Sequence, residues 1–127
     1  MSIHQEVTLP ASPDRVYAVL TDGKLFTAAT GNRPAEIAAN EGGTFSLFGG
    51  AIRGRHVELV PNERVVQAWR VDGWPAGVYS LVHFQLHKDG ASTKLVLDHT
   101  GYPADNHDHL SAGWPTNYFE PFAKYFK

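Results

Sequence analysis

The sequence predicts an α+β domain: one antiparallel sheet, strongly curved, with a long C-terminal helix packed into its hollow. Three observations predict it. The last stretch, Asp108 to Phe126 (DHLSAGWPTNYFEPFAKYF), carries six of the chain's aromatic residues, Trp114, Tyr118, Phe119, Phe122, Tyr125 and Phe126. At the helical step of ~100° per residue these six fall within about 140° of arc, opposite Thr116, Asn117, Glu120, Ala123 and Lys124. Between Arg33 and Thr100 the pattern changes to period two and is punctuated by turn residues. Finally, a single strand and two short helical signals precede that run.

The terminal helix sets the demand on the rest. Six buried rings of ~150–250 Å² each withdraw on the order of 1000 Å² from water, roughly 25 kcal/mol gross at ~25 cal/mol/Å². A broad surface must receive that face. It either closes the core outright or lies over a concave sheet and leaves a cavity between them. Pro115 suits a first helical turn, but Pro121 is interior and predicts a bend between Asn117 and Pro121.

Taken in order, Ile3 to Leu9 reads as a strand with Ile3, Gln5, Val7 and Leu9 on one side, stopped by Pro10. Ser12-Pro13-Asp14 is a helix start, with Ser as N-cap, Pro at the first position and Asp in the first turn. Lys24 to Thr30 is a second short helix ended by Gly31. Arg33 to Ala38 is a short strand and Asn40-Glu41-Gly42-Gly43 a turn. Phe45 and Leu47 alternate with Thr44 and Ser46 in the next strand, and Gly49-Gly50 turns the chain again. Ala51 to Val60 and Arg64 to Val71 form a pair around Pro61-Asn62. Val78 to His87 and Ser92 to Thr100 form another around Lys88-Asp89-Gly90. Asp105 and Asp108 have the spacing of an N-cap and its third residue at the start of the closing helix. Short connections imply a meander, with the first strand pairing with the last.

The totals exclude several functions. The chain's 127 residues suit one domain, with 43% hydrophobic and 19% charged residues in ordinary proportion. A net charge of −2 draws the molecule neither to nucleic acid nor to an anionic membrane. The lack of cysteine excludes disulfides and thiolate metal sites and suits a reducing compartment. MSIHQEVTLP is no signal peptide, so the expected location is the cytoplasm.

The order of several residues carries a resemblance. Thr30-Gly31, Gly42-Gly43-Thr44-Phe45, Gly54 and Leu59-Val60-Pro61 come first. Val66, Trp69-Arg70, Trp74-Pro75 with Gly77, His99-Thr100-Gly101 with Pro103, and Gly113-Trp114 with Tyr118-Phe119 follow. In this order the sequence resembles the START-like, helix-grip superfamily, in the branch named for the activator of the heat-shock-protein-90 ATPase. It is most like the C-terminal domain of the eukaryotic activator. The resemblance implies a helix-grip fold. It also implies either a relative that binds an apolar small molecule under the helix or a co-chaperone-like module. The two-domain activators make much of their chaperone contact through a separate N-terminal domain, for which this chain has no room.

Candidate site residues follow from the strand faces. Phe45, Leu47, Trp69, Phe84, Leu97, His99, Trp114, Tyr118 and Phe122 are expected to line a mostly apolar space between sheet and helix. His99 continues the face of Leu95 and Leu97. It is either a polar anchor in a ligand cavity or a core histidine bonded to Trp114 or Tyr118. Arg53 and Arg55 share one strand face, Arg64 and Arg70 that of the next. Together they form either a strip for an acidic partner, such as a chaperone, or a solvated face interleaved with Glu58 and Glu63. Trp74 is either an exposed contact residue or a plug.

His83 and His87 lie roughly 13 Å apart along a strand, too far to share one ion. His107 and His109 flank Asp108 around a helical turn and splay apart, so no metal and no cofactor are expected. Asp98 and His99 face opposite ways, and neither a nucleophile elbow nor a phosphate loop occurs. The expected protein is therefore a non-enzymatic binding domain, monomeric or homodimeric, whose alternatives are a protein-docking module and a superfamily-type cyclase or hydrolase.

Overall fold

The computed structural model describes all 127 residues. Its elements are β1 (Ser2–Leu9), α1 (Pro13–Thr21), α2 (Gly23–Ala29), β2 (Glu36–Ile37), β3 (Thr44–Leu47), β4 (Ile52–Val60), β5 (Arg64–Val71), β6 (Ser80–Asp89) and β7 (Ser92–Thr100). They close with α3 (His107–Trp114), a π-helical turn (Pro115–Phe119) and α4 (Glu120–Phe126). The seven strands form one antiparallel sheet in the order β1-β7-β6-β5-β4-β3-β2. The helices α1 and α2 carry the chain from one sheet edge to the other. The first strand pairs with the last, from Ser2 opposite Thr100 to Leu9 opposite Thr93.

Strand alternation puts one face inward: Ile3 and Leu9, Phe45 and Leu47, Val65 and Trp69, Val82 and Phe84, and Leu95, Leu97 and His99 are all buried. The terminal helices lie against this face. Gln5, on the inward side of β1, donates to the Ser111 carbonyl at 2.8 Å and ties α3 to the sheet edge. From α2, Phe26 meets Phe122 and Tyr118 edge-on, at 6.0 and 5.7 Å between centroids. Gly54 makes the β3–β4–β5 corner possible. A Cβ there would overlap the Ala68 carbonyl and come within 2.6 Å of the Phe45 ring, which packs over the bare backbone.

Several local expectations are corrected. The second strand is limited to Glu36–Ile37, not Arg33 to Ala38. Ser12 occupies the N-cap of α1 but its hydroxyl caps no helix amide, whereas Asp22 caps α2 by accepting from the Lys24 and Leu25 amides. Asp105 and Asp108 form no capping box, since α3 begins after a short 3₁₀ turn at Ala104–Asn106 and its cap is Asn106. The bend near Pro121 takes the form of a π turn. Dihedrals stay right-handed helical through Trp114, Pro115, Phe119 and Glu120, while the Glu120 amide reaches back five residues to the Pro115 carbonyl. Widening the helix just before Pro121 absorbs the register conflict that an interior proline creates. Beyond that turn Tyr125 is 38% exposed and leaves the apolar face on which the α-helical period had placed it.

Candidate functional site

Between the sheet and the terminal helix lies a hollow of about 180 Å³. Ile52, Trp69 and Val71 form its sheet wall, Phe48 one side, and Leu110, Trp114 and Tyr118 its helical roof. Arg33, His109 and Asn117 also line it, and all three are exposed to solvent, so they mark the mouth. The walls are aromatic: Trp69 and Trp114 stand 5.5 Å apart at a 30° tilt, and Trp114 and Tyr118 are 4.4 Å apart. Burial raises the Tyr118 hydroxyl pKa well above the ordinary tyrosine range, so it stays protonated.

Phe48 holds its place at a cost. Its φ is +53°, left-handed backbone that a bulky side chain rarely adopts, worth about 1–3 kcal/mol of strain. Two edge contacts and one face contact keep it there: Phe26 at 5.5 Å, Tyr118 at 5.4 Å, and the Arg33 guanidinium 4.7 Å above its ring. Sequence reasoning missed Phe48 and Arg33. The available signal was a large aromatic directly before Gly49-Gly50, where a turn needs positive φ.

Of the nine residues expected around the space, Trp69, Trp114 and Tyr118 line the hollow. Phe45, Leu47, Phe84, Leu97, His99 and Phe122 are buried in the packed core around it. His99 is fully buried behind Trp114. It accepts at Nδ1 from the Trp114 indole N–H at 3.1 Å and meets Ser80 Oγ through Nε2 at 2.7 Å, while Ser80 donates to the Trp69 carbonyl at 3.0 Å. Burial alone lowers the His99 pKa to about 4, so the ring is neutral with its proton on Nε2. Trp74 is tucked inward, its ring 6.0 Å from Trp69.

The four arginines all project from the convex face, in different circumstances. Arg53 and Arg55 are exposed and belong to no ion pair, Arg53 lying opposite Arg70 in register. Arg64 pairs with Glu58 at 2.6 Å. Arg70 is spent on the Trp74–Val78 loop, donating to the carbonyls of Trp74, Pro75 and Val78 at 2.7, 3.0 and 3.2 Å. Between His56 and Glu58 a bulge shifts the β4 register, and Val57 is left 53% exposed on this side of the domain. No group of three His, Asp or Glu side chains is arranged to hold a metal ion.

A bent antiparallel meander gripping a terminal helix, with a small aromatic hollow between them, defines a helix-grip domain. Residues 10–127 match the family model described as Activator of Hsp90 ATPase homolog 1-like protein, and the chain belongs to that family. Among characterised relatives, it is 31% identical over 119 residues to Activator of 90 kDa heat shock protein ATPase homolog 1 of Homo sapiens, covering 94% of this chain and 35% of that one. It is 41% identical over 78 residues to the corresponding activator homolog of Dictyostelium discoideum, covering 61% of this chain and 20% of that one. The chain thus spans about a third or less of the length of these relatives.

Two solved structures match over most of their length. PFC0360w, an HSP90 activator from Plasmodium falciparum, superposes with a TM-score of 0.88 at 27% identity, over 94% of this chain and 91% of that one. The Aha1 dimer from Colwellia psychrerythraea has a TM-score of 0.79 at 19% identity, over 96% and 93% of the two chains, which shows the shared fold.

Proposed function

We propose that this protein is a non-catalytic domain that binds a small apolar molecule between its sheet and its C-terminal helix. The observation that supports the reading is the aromatic hollow of about 180 Å³ under the helix, open at one end. A packed core of this size needs no such space, and an apolar hollow with a few polar groups at its rim is the usual form of a ligand site. The polar groups deeper in, His99 and Ser80, are spent on holding the wall. Native mass spectrometry of freshly purified protein tests the proposal. The expected result is a retained small molecule, lost when Gly113→Leu fills the hollow. Protein that carries nothing, and binds no apolar probe afterwards, refutes it.

A second reading rests on a different observation. Arg53 and Arg55 present unpaired charge on the convex face, within a sheet surface that also exposes Tyr79, Leu81 and Val57. The relatives named as activators of a chaperone ATPase suggest the acidic surface of such a chaperone as the partner. Binding of this kind weakens with salt and is lost on Arg53→Glu or Arg55→Glu. Salt-independent binding, or binding unaffected by both changes, refutes it. The expected setting for either role is the cytoplasm. No helix is long and apolar enough to cross a membrane.

A further inference from the structure

We infer that β1 is the contact strand of a symmetric dimer: the free edges of two copies pair antiparallel, with Gln5 opposite Gln5 and His4 of each copy opposite Glu6 of the other. The two edges of the sheet are unlike. On one side β2 is only Glu36–Ile37, too short to template another strand. On the other, β1 runs straight from Ser2 to Leu9 with neither proline nor lysine, and its pairing with β7 has no bulge. No backbone group from Ser2 to Thr8 bonds to anything but β7. One row of amides and carbonyls therefore faces outward along the strand, without the devices that usually blunt such an edge.

Charge selects a second copy of this chain as the occupant, and it selects the register. Residues opposite one another in an antiparallel pair share a face, so a two-fold contact that keeps both concave faces on one side must centre on a residue. Centring on Glu6 sets Glu6 against Glu6. Centring on His4 sets His4 against His4 and pairs only Ser2 to Glu6. Centring on Gln5 pairs Ser2 to Thr8, sets Ile3 against Val7 twice and sets His4 against Glu6 twice. Opposite charges at directly facing positions stabilise a strand pair and like charges weaken it.

The side chains are already arranged for this. His4 meets Asp98 through Nδ1 at 2.7 Å and Glu6 through Nε2 at 2.9 Å, and the other Glu6 oxygen accepts from Lys94 at 2.8 Å. The two carboxylates raise the His4 pKa and favour the imidazolium. With His4 charged, the four groups carry two charges of each sign, so two such clusters meet without net repulsion. On the concave side, a shallow groove runs between β1 and the terminal helix. Val7, Pro115, Phe119 and Ala123 line it, and Glu120 is the one charged group on its helix side. Val7, Pro115 and Ala123 are only half-buried. The two-fold sets one groove against the other and covers them.

Sedimentation equilibrium over a range of concentrations tests the inference. The wild type is expected to show a monomer–dimer equilibrium. His4→Glu or Glu6→Lys alone should weaken it about tenfold, because two like pairs replace two unlike ones. Mixed in equal amounts, the two variants should form a heterodimer about as tight as the wild-type dimer: the new acid then faces the new lysine, and native Glu6 faces native His4. The chain has no cysteine, so single thiols report the register. Gln5→Cys should give a disulfide-linked dimer under mild oxidation, whereas Thr8→Cys, whose two copies lie roughly 20 Å apart in this register, should not. A wild type that stays monomeric throughout overturns the inference. So does weakening without rescue on mixing, and so does a dimer that neither charge change weakens and Gln5→Cys does not link. Should Gln5→Cys not fold, the mixing experiment decides, since His4 and Glu6 are both exposed.

Discussion

The indole N–H of Trp114 donates to Nδ1 of His99 across 3.1 Å, and this bond fixes both the state of the histidine and the seat of the helix. A proton on Nδ1 would face the indole hydrogen and find no acceptor. With Nε2 against Ser80, the neutral tautomer is the one that fits both partners.

Acid should therefore loosen the domain at this point. The unfolded chain protonates His99 near the ordinary value of ~6.5, and the folded one near about 4. The unfolded state binds more protons in that window, so the contribution is complete above pH ~6.5 and is lost as pH falls towards the folded value. The loss from His99 amounts to about 3 kcal/mol. His56, also buried and lowered by desolvation, acts with the same sign. Urea denaturation midpoints measured from neutral pH downward should fall steadily; a midpoint flat to pH ~4.5 would refute this.

Replacing the histidine tests the same contact without pH. His99→Leu keeps volume but strands the Trp114 N–H, and should cost about 2–3 kcal/mol with the fold retained. It should also alter the affinity of a bound ligand, because Trp114 forms part of the cavity roof. Denaturation and ligand titration of the variant check both; unchanged values for both would remove His99 from any role in the site.

Along the terminal helix, neighbouring aromatic rings should behave very differently. Phe122→Ala removes a fully buried ring in contact with Phe26 and Tyr118 and should cost about 3–5 kcal/mol. Tyr125→Ser, on an exposed position, should stay within about 0.5 kcal/mol. Comparable losses at both sites would contradict the turn of the helix described above.

At the sheet corner, Gly54→Ala places a methyl against the Ala68 carbonyl and the Phe45 ring. A loss of about 2–4 kcal/mol is expected, read as a lower melting temperature. The arginines should divide. Arg70→Ala frees three carbonyls and should destabilise the Trp74–Val78 loop, whereas Arg53→Ala should leave the melting temperature unchanged. Hydrogen exchange in that loop distinguishes the two variants.

How much of this was legible in the chain follows from where the forces act. Strand alternation and turn residues are local, so the meander could be read directly, and with it the pairing of the first strand with the last, whose register, Ile3 opposite His99, only the structure gives. The apolar face of the tail was equally clear at Trp114, Tyr118 and Phe122. Tyr125 was misplaced because the π turn advances each residue by less than the α step, so a fixed period fails beyond it. Phe48 was invisible for another reason. Its backbone angle is imposed by contacts with Phe26, Tyr118 and Arg33, which meet only after the sheet has bent. Arg70 counts as one of four similar charges until its loop folds back over it.

The pairing of β1 with β7 also has a consequence for how the chain is made. Ser2 to Leu9 are made well before Thr93 to Thr100 and wait for them before they find their neighbours. The aromatic tail that covers the inward face follows every strand of the sheet. Contacts of such long sequence separation slow closure, and they leave Phe45, Trp69 and Phe84 uncovered through most of synthesis. Ribosome-stalled chains truncated before Trp114 should be protease-sensitive throughout, and resistance should appear in one step once the tail clears the exit tunnel.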